Sequence, residues 1–213
     1  MRYKRNQVEE AIANVFAPGA GKPGSEVRTR LKRLLETDRG LPRSTRSADP
    51  ERAHYAFYGT EAPGKGVEIW FSAYEAFALL LGLHLMQHGW PQGFAVAVLR
   101  RVRPELEKHH ARILKQDPEK LFDQQQIRDR AREGDLFVGN TDPVFLAVGS
   151  GERKDSADPM SCAICRGQAE LMKLIIGSGP ARTWTSLELV SSSHALASAL
   201  AKTHPSKRGR GSE

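Results

Sequence analysis

The chain has 213 residues, 39% hydrophobic and 27% charged, with a net charge of +7, which allows a full core and excludes a disordered polymer. Two cysteines, Cys162 and Cys165, are too few for a disulfide-built secreted scaffold, and the most apolar run, AFALLLGLHLM (76–86), is too short to span a bilayer. Glu9 and Glu10 break any apolar leader, so a cytoplasmic protein without membrane contact is expected.

The positive charge is concentrated at the ends. Residues 1–46 carry eleven Lys/Arg against five Asp/Glu, and residues 202–213 carry four against one. A basic first segment ahead of a nearly neutral body suits a polyanionic partner.

Asn6 can cap a first helix whose Val8, Ala11, Ile12, Val15 and Phe16 follow the spacing of one buried stripe. APGAGKPG (17–24) ends it. Gly21-Lys22 is not a phosphate-cradling loop, because Phe16 and Pro23 stand where that pattern needs Gly and Ser or Thr. Ser25 can cap a second helix, SEVRTRLKRLL, running to about Arg39 before Gly40 and Pro42 stop it. Val27, Leu31, Leu34 and Leu35 share one arc; Thr29, Lys32 and Arg33 lie opposite, with Arg28 and Arg30 on the flanks. Arg and Lys are also good helix formers, so the stretch alone reads equally as a solvated helix.

A polar loop (40–53) leads to two strand-like runs, HYAFYG (54–59) and GVEIWF (66–71), which predict a β-hairpin with Lys65 at its tip. Ser72 with Glu75 forms a capping box for a third helix that Gly89 and Pro91 end. That helix is apolar almost all round, so it is either central core or shared between core and a subunit interface. A fourth helix covers 89–114 and is expected to bend or break near Pro104, and 118–132 is a further short helix. Beyond Gly134, DLFVG and PVFLAVG read as strands around NTDP, and GERKDSADP as a linker. Residues 161–176 read as an apolar-striped helix, TWTSLELV as a strand and Ser191 to Thr203 as a helix.

Helix, turn, basic helix, hairpin and helix pair is the order of a winged helix-turn-helix, in which a basic helix enters the major groove and the wing grips the adjoining backbone. The stretch YAFYG…GVEIWFSAYEAFALLLGLHLMQHGWPQGFAVAVLRRV resembles the segment after the recognition helix in MerR-type regulators, over roughly residues 3–103, with His88-Gly89-Trp90 at the inter-helix turn. The resemblance implies a DNA-reading surface on Arg28, Thr29, Arg30, Lys32 and Arg33, with wing contacts from Lys65 and Tyr58. Lys4 and Arg5 of the nearby MRYKR extend it. The chain departs from that family in its long turn between the first two helices. Ala56 and Phe57 stand where the wing normally carries Arg, and Pro104 and Pro118 prevent the long dimerising coiled coil.

The expected fold class is mainly α with small β elements: a winged helix-turn-helix (1–110), connecting helices (111–133), a small α+β dimerisation or sensor unit (134–203) and a disordered basic tail (204–213). The expected function is sequence-specific, double-stranded-DNA-binding transcriptional regulation by a homodimer, with a protein partner or small effector acting through the C-terminal unit. The alternative is an oligomeric adaptor whose basic helix docks on an acidic partner and whose helix 73–88 forms the interface.

His84 and His88 are four apart on one helix face, a metal-ligand spacing, but Leu85 stands where the metalloprotease pattern needs Glu; packed histidines are the expectation. Glu105 and His109 read as a surface pair. CAIC (162–165) at a helix start could lower a thiol pKa or supply half a zinc site. Without a second pair, and with His194 and His204 off zinc-finger spacing, two partly buried cysteines are expected, a redox or metal sensor being the alternative. No catalytic triad, carboxylate pair or nucleotide fingerprint stands out, so neither an enzyme, a cofactor nor a metal is expected.

Overall fold

The computed structural model describes residues 1–19, 22–59, 61–62, 64, 67–131, 139–150, 160–178 and 183–205. Lys65, most of DLFVG, the GERKDSADP segment and most of the basic tail lie outside them.

Strand β1 (Tyr3–Lys4) leads into helix α1 (Arg5–Phe16), followed by α2 (Ser25–Gly40) and the single turn α3 (Pro50–Ala53). Strand β2 (Trp70–Phe71) precedes the helix pair α4 (Ala73–Gln87) and α5 (Gln92–Ile113), then short helices α6 (Pro118–Leu121) and α7 (Gln124–Arg130). The remainder is β3 (Val144–Ser150), β4 (Met160–Arg166), α8 (Gly167–Gly177), β5 (Thr183–Glu188) and α9 (Leu189–Lys202). The chain is thus mainly helical with small antiparallel sheets. No helix among the described residues is long and apolar enough to cross a membrane.

The capping box at Ser72 forms: Ser72 Oγ accepts from the Glu75 N–H at 3.2 Å, and Glu75 Oε2 accepts from the Ser72 N–H at 2.7 Å. Tyr74 through Leu83, and Leu85, are then buried, which makes α4 the centre of the core. Its Gly82 leaves room for the α2 side chain Leu34, since a Cβ there would lie 3.1 Å from Leu34 Cδ1. The chain's own elements cover α4, so the subunit interface expected of helix 73–88 in the adaptor alternative is already occupied.

Four expectations are corrected. The 54–59 and 66–71 runs form no hairpin among the described residues. Trp70–Phe71 pairs instead with Tyr3–Lys4, and the 54–59 segment packs into the core. The reason is a buried ion pair. Asp38 and Arg100 are both essentially sealed from solvent, with Nε 2.6 Å from Oδ1. The Asp38 carboxylate also accepts from the Ala56 and Phe57 N–H groups at 3.1 and 2.9 Å. Arg103 takes the carbonyls of Tyr55 and Tyr58 at 2.6 and 2.5 Å. These backbone groups, already satisfied by side chains, have nothing to offer a strand ladder.

Secondly, the helix does not break at Pro104: α5 continues through it, because Val102, Arg103 and Leu106 around it are buried and packing outweighs a penalty of about 3 kcal/mol. Thirdly, residues 160–166 are a strand rather than helix. β4 pairs with β3 along its full length, and Gly167, at φ +77°, turns the chain into α8. Fourthly, the region 118–132 holds two short helices, each started by an aspartate cap, at Asp117 and Asp123.

The three-stranded sheet has the order β4-β3-β5. β3 is buried on both faces: Leu146 and Val148 join α1, α2, α4, α5 and α9 in the main core, while Phe145 and Ala147 face Cys165 and Leu171. The core therefore crosses the boundary expected near residue 110, which falls inside α5. Trp90 Nε1 donates to Thr185 Oγ1 at 3.0 Å, and Gln7 Nε2 to the Thr203 carbonyl at 3.3 Å, pinning β5 and α9 to the N-terminal helices.

Asp38→Ala would leave Arg100 buried without its counter-charge. Urea denaturation should show about 3–5 kcal/mol of lost stability. His110 is buried against Phe77, with ring centroids 4.5 Å apart; burial, reinforced by His194, lowers its pKa to about 4. The unfolded chain then binds the proton more readily, so stability should fall as pH drops from about 6.5 towards about 4. Thermal melts of His110→Phe should show a smaller loss over that window than wild type.

Candidate nucleic-acid interface

The outer face of α2 follows from its sequence period. Leu31, Leu34, Leu35 and Asp38 are buried; Arg28, Thr29, Lys32 and Arg33 are exposed and Arg30 is half-buried. The structure brings Lys4, Arg5, Arg28, Thr29 and Lys32 to one cleft of about 610 Å³, with Glu9 and the 67–69 segment as its other walls. Residues from the first strand, the first helix and the basic helix thus line one cleft.

Most of these cations have a carboxylate nearby. Lys4 Nζ is 2.9 Å from Glu68, Arg5 Nε 2.6 Å from Glu9, and Arg28 Nε 4.0 Å from Glu9. Arg30 pairs with Glu26 at 2.6 Å and Lys32 with Glu36 at 3.7 Å, one turn away on the same helix. The one-turn pairs Arg30–Glu26 and Lys32–Glu36 lie at the surface and are worth only about 0.3–0.5 kcal/mol each, so a phosphate can replace those carboxylates at little cost. Arg33 has no carboxylate within ion-pair distance among the described residues.

Tyr58 is removed from the contact set. It is buried, its hydroxyl donates to the Leu35 carbonyl at 3.2 Å, and burial pushes its pKa up. Lys65 lies outside the described residues. Arg39, expected only as a helix end, is exposed and falls between Arg28 and Lys32 in helical angle. Its spacing of eleven residues from Arg28 and seven from Lys32 is the signal that could have found it. The three form one stripe beside Leu35, on the side of α2 nearest Arg5.

His84 packs against Phe16, with centroids 4.8 Å apart, and burial followed by His88 lowers its pKa. Among the described residues no cluster of His, Cys, Asp and Glu could hold a metal ion.

Cys162 and Cys165 do not sit at a helix start. They lie on β4 opposite Val148 and Phe145, three positions apart and hence on opposite faces of the sheet. Cys162 packs on the main core and Cys165 with Phe145 and Leu171. Burial, then Glu170, raises the Cys165 pKa, the opposite of an activated thiol. Diamide treatment of the folded protein should therefore give no Cys162–Cys165 disulfide by intact mass, whereas a quantitative internal disulfide would contradict the strand assignment. The chain matches no protein-family model and no curated protein sequence.

Proposed function

We propose that the chain is a DNA-binding transcriptional regulator that engages duplex DNA through the outer face of α2. The observation that carries this reading is the convergence of Lys4, Arg5, Arg28, Thr29 and Lys32 on one open cleft, with Arg33 exposed on the same helix and, among the described residues, without a carboxylate in ion-pair distance. Lys32, Arg33 and Thr29 point away from the core and suit a groove, and Arg28, Arg39 and Arg5 suit flanking phosphates.

The 67–69 segment, leading into β2, lines the same cleft as α2. With no hairpin among the described residues, this segment is a wall of the cleft rather than a paired wing, and the reading rests on the basic face of α2. Glu9 and Glu68 temper the potential there, so four cations act against two carboxylates in the cleft lining and affinity should depend steeply on salt. A homodimer, expected of such a regulator, would double the phosphate contacts.

Fluorescence anisotropy with a labelled random-sequence duplex tests the reading. Wild type should bind with an affinity that falls as salt rises, and Lys32→Ala with Arg33→Ala should weaken binding about tenfold and lower the salt slope by about 2. An unchanged affinity at about 0.1 M salt would remove α2 as the interface. Absence of any salt-dependent binding would favour the adaptor alternative.

A further inference from the structure

Residues of β4, α8 and β5 line an open pocket of about 550 Å³. Its floor follows from the pleat of β3. Phe145, Ala147 and Gly149 alternate onto one face of the sheet, and β5 brings Trp184 opposite Gly149. A Cβ at Gly149 would lie 3.0–3.1 Å from Cδ2, Cε2 and Cε3 of Trp184, three neighbouring ring atoms at once. Only the face of a ring meets a point so evenly, so the indole lies flat over the strand where a side chain is missing. Trp184, Ala163 and Leu174 give the pocket its apolar part.

The polar part is unfilled. Trp184 Nε1 is sealed from solvent and has no hydrogen-bond partner among the described residues. Nearly all buried donors in folded chains are paired, so this one is left for something the chain does not supply. On α8, Glu170 and Lys173 line the pocket one turn apart. Both are exposed, and neither has an ion-pair partner among the described residues, each other included. Glu170 Oε2 accepts from the Arg166 N–H at 2.6 Å, which leaves Oε1 available. Ser178 Oγ donates to the Leu174 carbonyl at 2.6 Å, so its proton is used and its lone pairs remain to accept.

Two donors, Lys173 and Trp184, and two acceptors, Glu170 and Ser178, thus stand around an aromatic floor. A carboxylate suits Lys173, an ammonium suits Glu170, and a flat apolar group suits the indole. Helix residues three apart hold their Cβ atoms about 5–6 Å from each other, a span that the ammonium and carboxylate on one α-carbon can bridge. A plain anion or a plain cation would instead meet a like charge at the rim. The volume is that of a small-molecule site.

We propose that the pocket between β4, α8 and β5 binds a free α-amino acid with an aromatic side chain. The inference does not depend on the DNA-binding reading, since none of its residues belongs to the α2 cleft.

Isothermal titration of the full chain with L-phenylalanine, L-tyrosine and L-tryptophan reads the site, with phenylacetate and phenethylamine as ligands that each lack one charge. At least one of the amino acids should bind with a Kd of about 1 mM or below, and more tightly than either single-charge ligand. Lys173→Gln, at an exposed position, should weaken that binding about threefold to fivefold in low salt without changing that of phenethylamine. No saturable heat from any of the three amino acids at millimolar concentration would overturn the proposal. Phenylacetate binding as tightly as the amino acid would overturn the zwitterion in favour of a plain aromatic acid. Wild-type affinity in Lys173→Gln would put the binding elsewhere on the chain and overturn the site.

Discussion

The arrangement of this chain depends on one sealed ion pair, Asp38 with Arg100. Removing two charges from water costs several kcal/mol per ion, and their attraction offsets this only when the remaining hydrogen-bonding capacity is filled. Here it is filled. Arg100 gives Nε to the Asp38 carboxylate, Nη2 to the Asp38 and Leu41 carbonyls, and Nη1 to those of Pro42 and Glu51. Asp38 accepts in addition from Ala56 and Phe57. The pair thus specifies one arrangement of α2, α5 and the intervening chain, because any other would strand a buried charge.

That constraint reaches the surface. Asp38 shares a face with Leu31, Leu34 and Leu35, so anchoring it to α5 fixes the rotation of α2 about its own axis. The opposite face must then carry Thr29, Lys32 and Arg33 outward, with Arg28 on its flank. Arg103, one turn along α5 from Arg100, holds Tyr55 and Tyr58 by their carbonyls and sits 3.9 Å from Glu75, tying the same segment to the start of α4. The buried network supports the exposed basic face without taking part in any contact there.

Much of the helical framework was legible because it is local. The capping box at Ser72–Glu75, the all-round apolar α4 and the apolar arc of α2 are all readable within one or two turns. The buried network was not legible. Asp38 lies near the polar end of a helix and Arg100 within VLRRVR, where both look like solvated charges, and they are 62 residues apart. Without that pair, alternation in HYAFYG reads as a strand; with it, the segment's backbone is already engaged. Residues 160–166 failed for a different reason: a short apolar run carries no period that separates strand from helix, and only the partner β3 decides it. Within the candidate site, Lys4, Arg5 and the α2 residues were legible as types and faces. Their convergence required the β1–β2 pairing, and Arg39 was hidden by its place near a helix end.

The central claim is that the face of α2 opposite Asp38 is the surface that meets nucleic acid. Titrating isotopically labelled protein with duplex DNA and following amide chemical shifts tests it most directly. The account predicts that shifts concentrate at Lys4, Arg5 and residues 28–33 and leave α8 unmoved. Shifts confined to α8 and the three-stranded sheet, or no shifts in low-salt buffer, would contradict it.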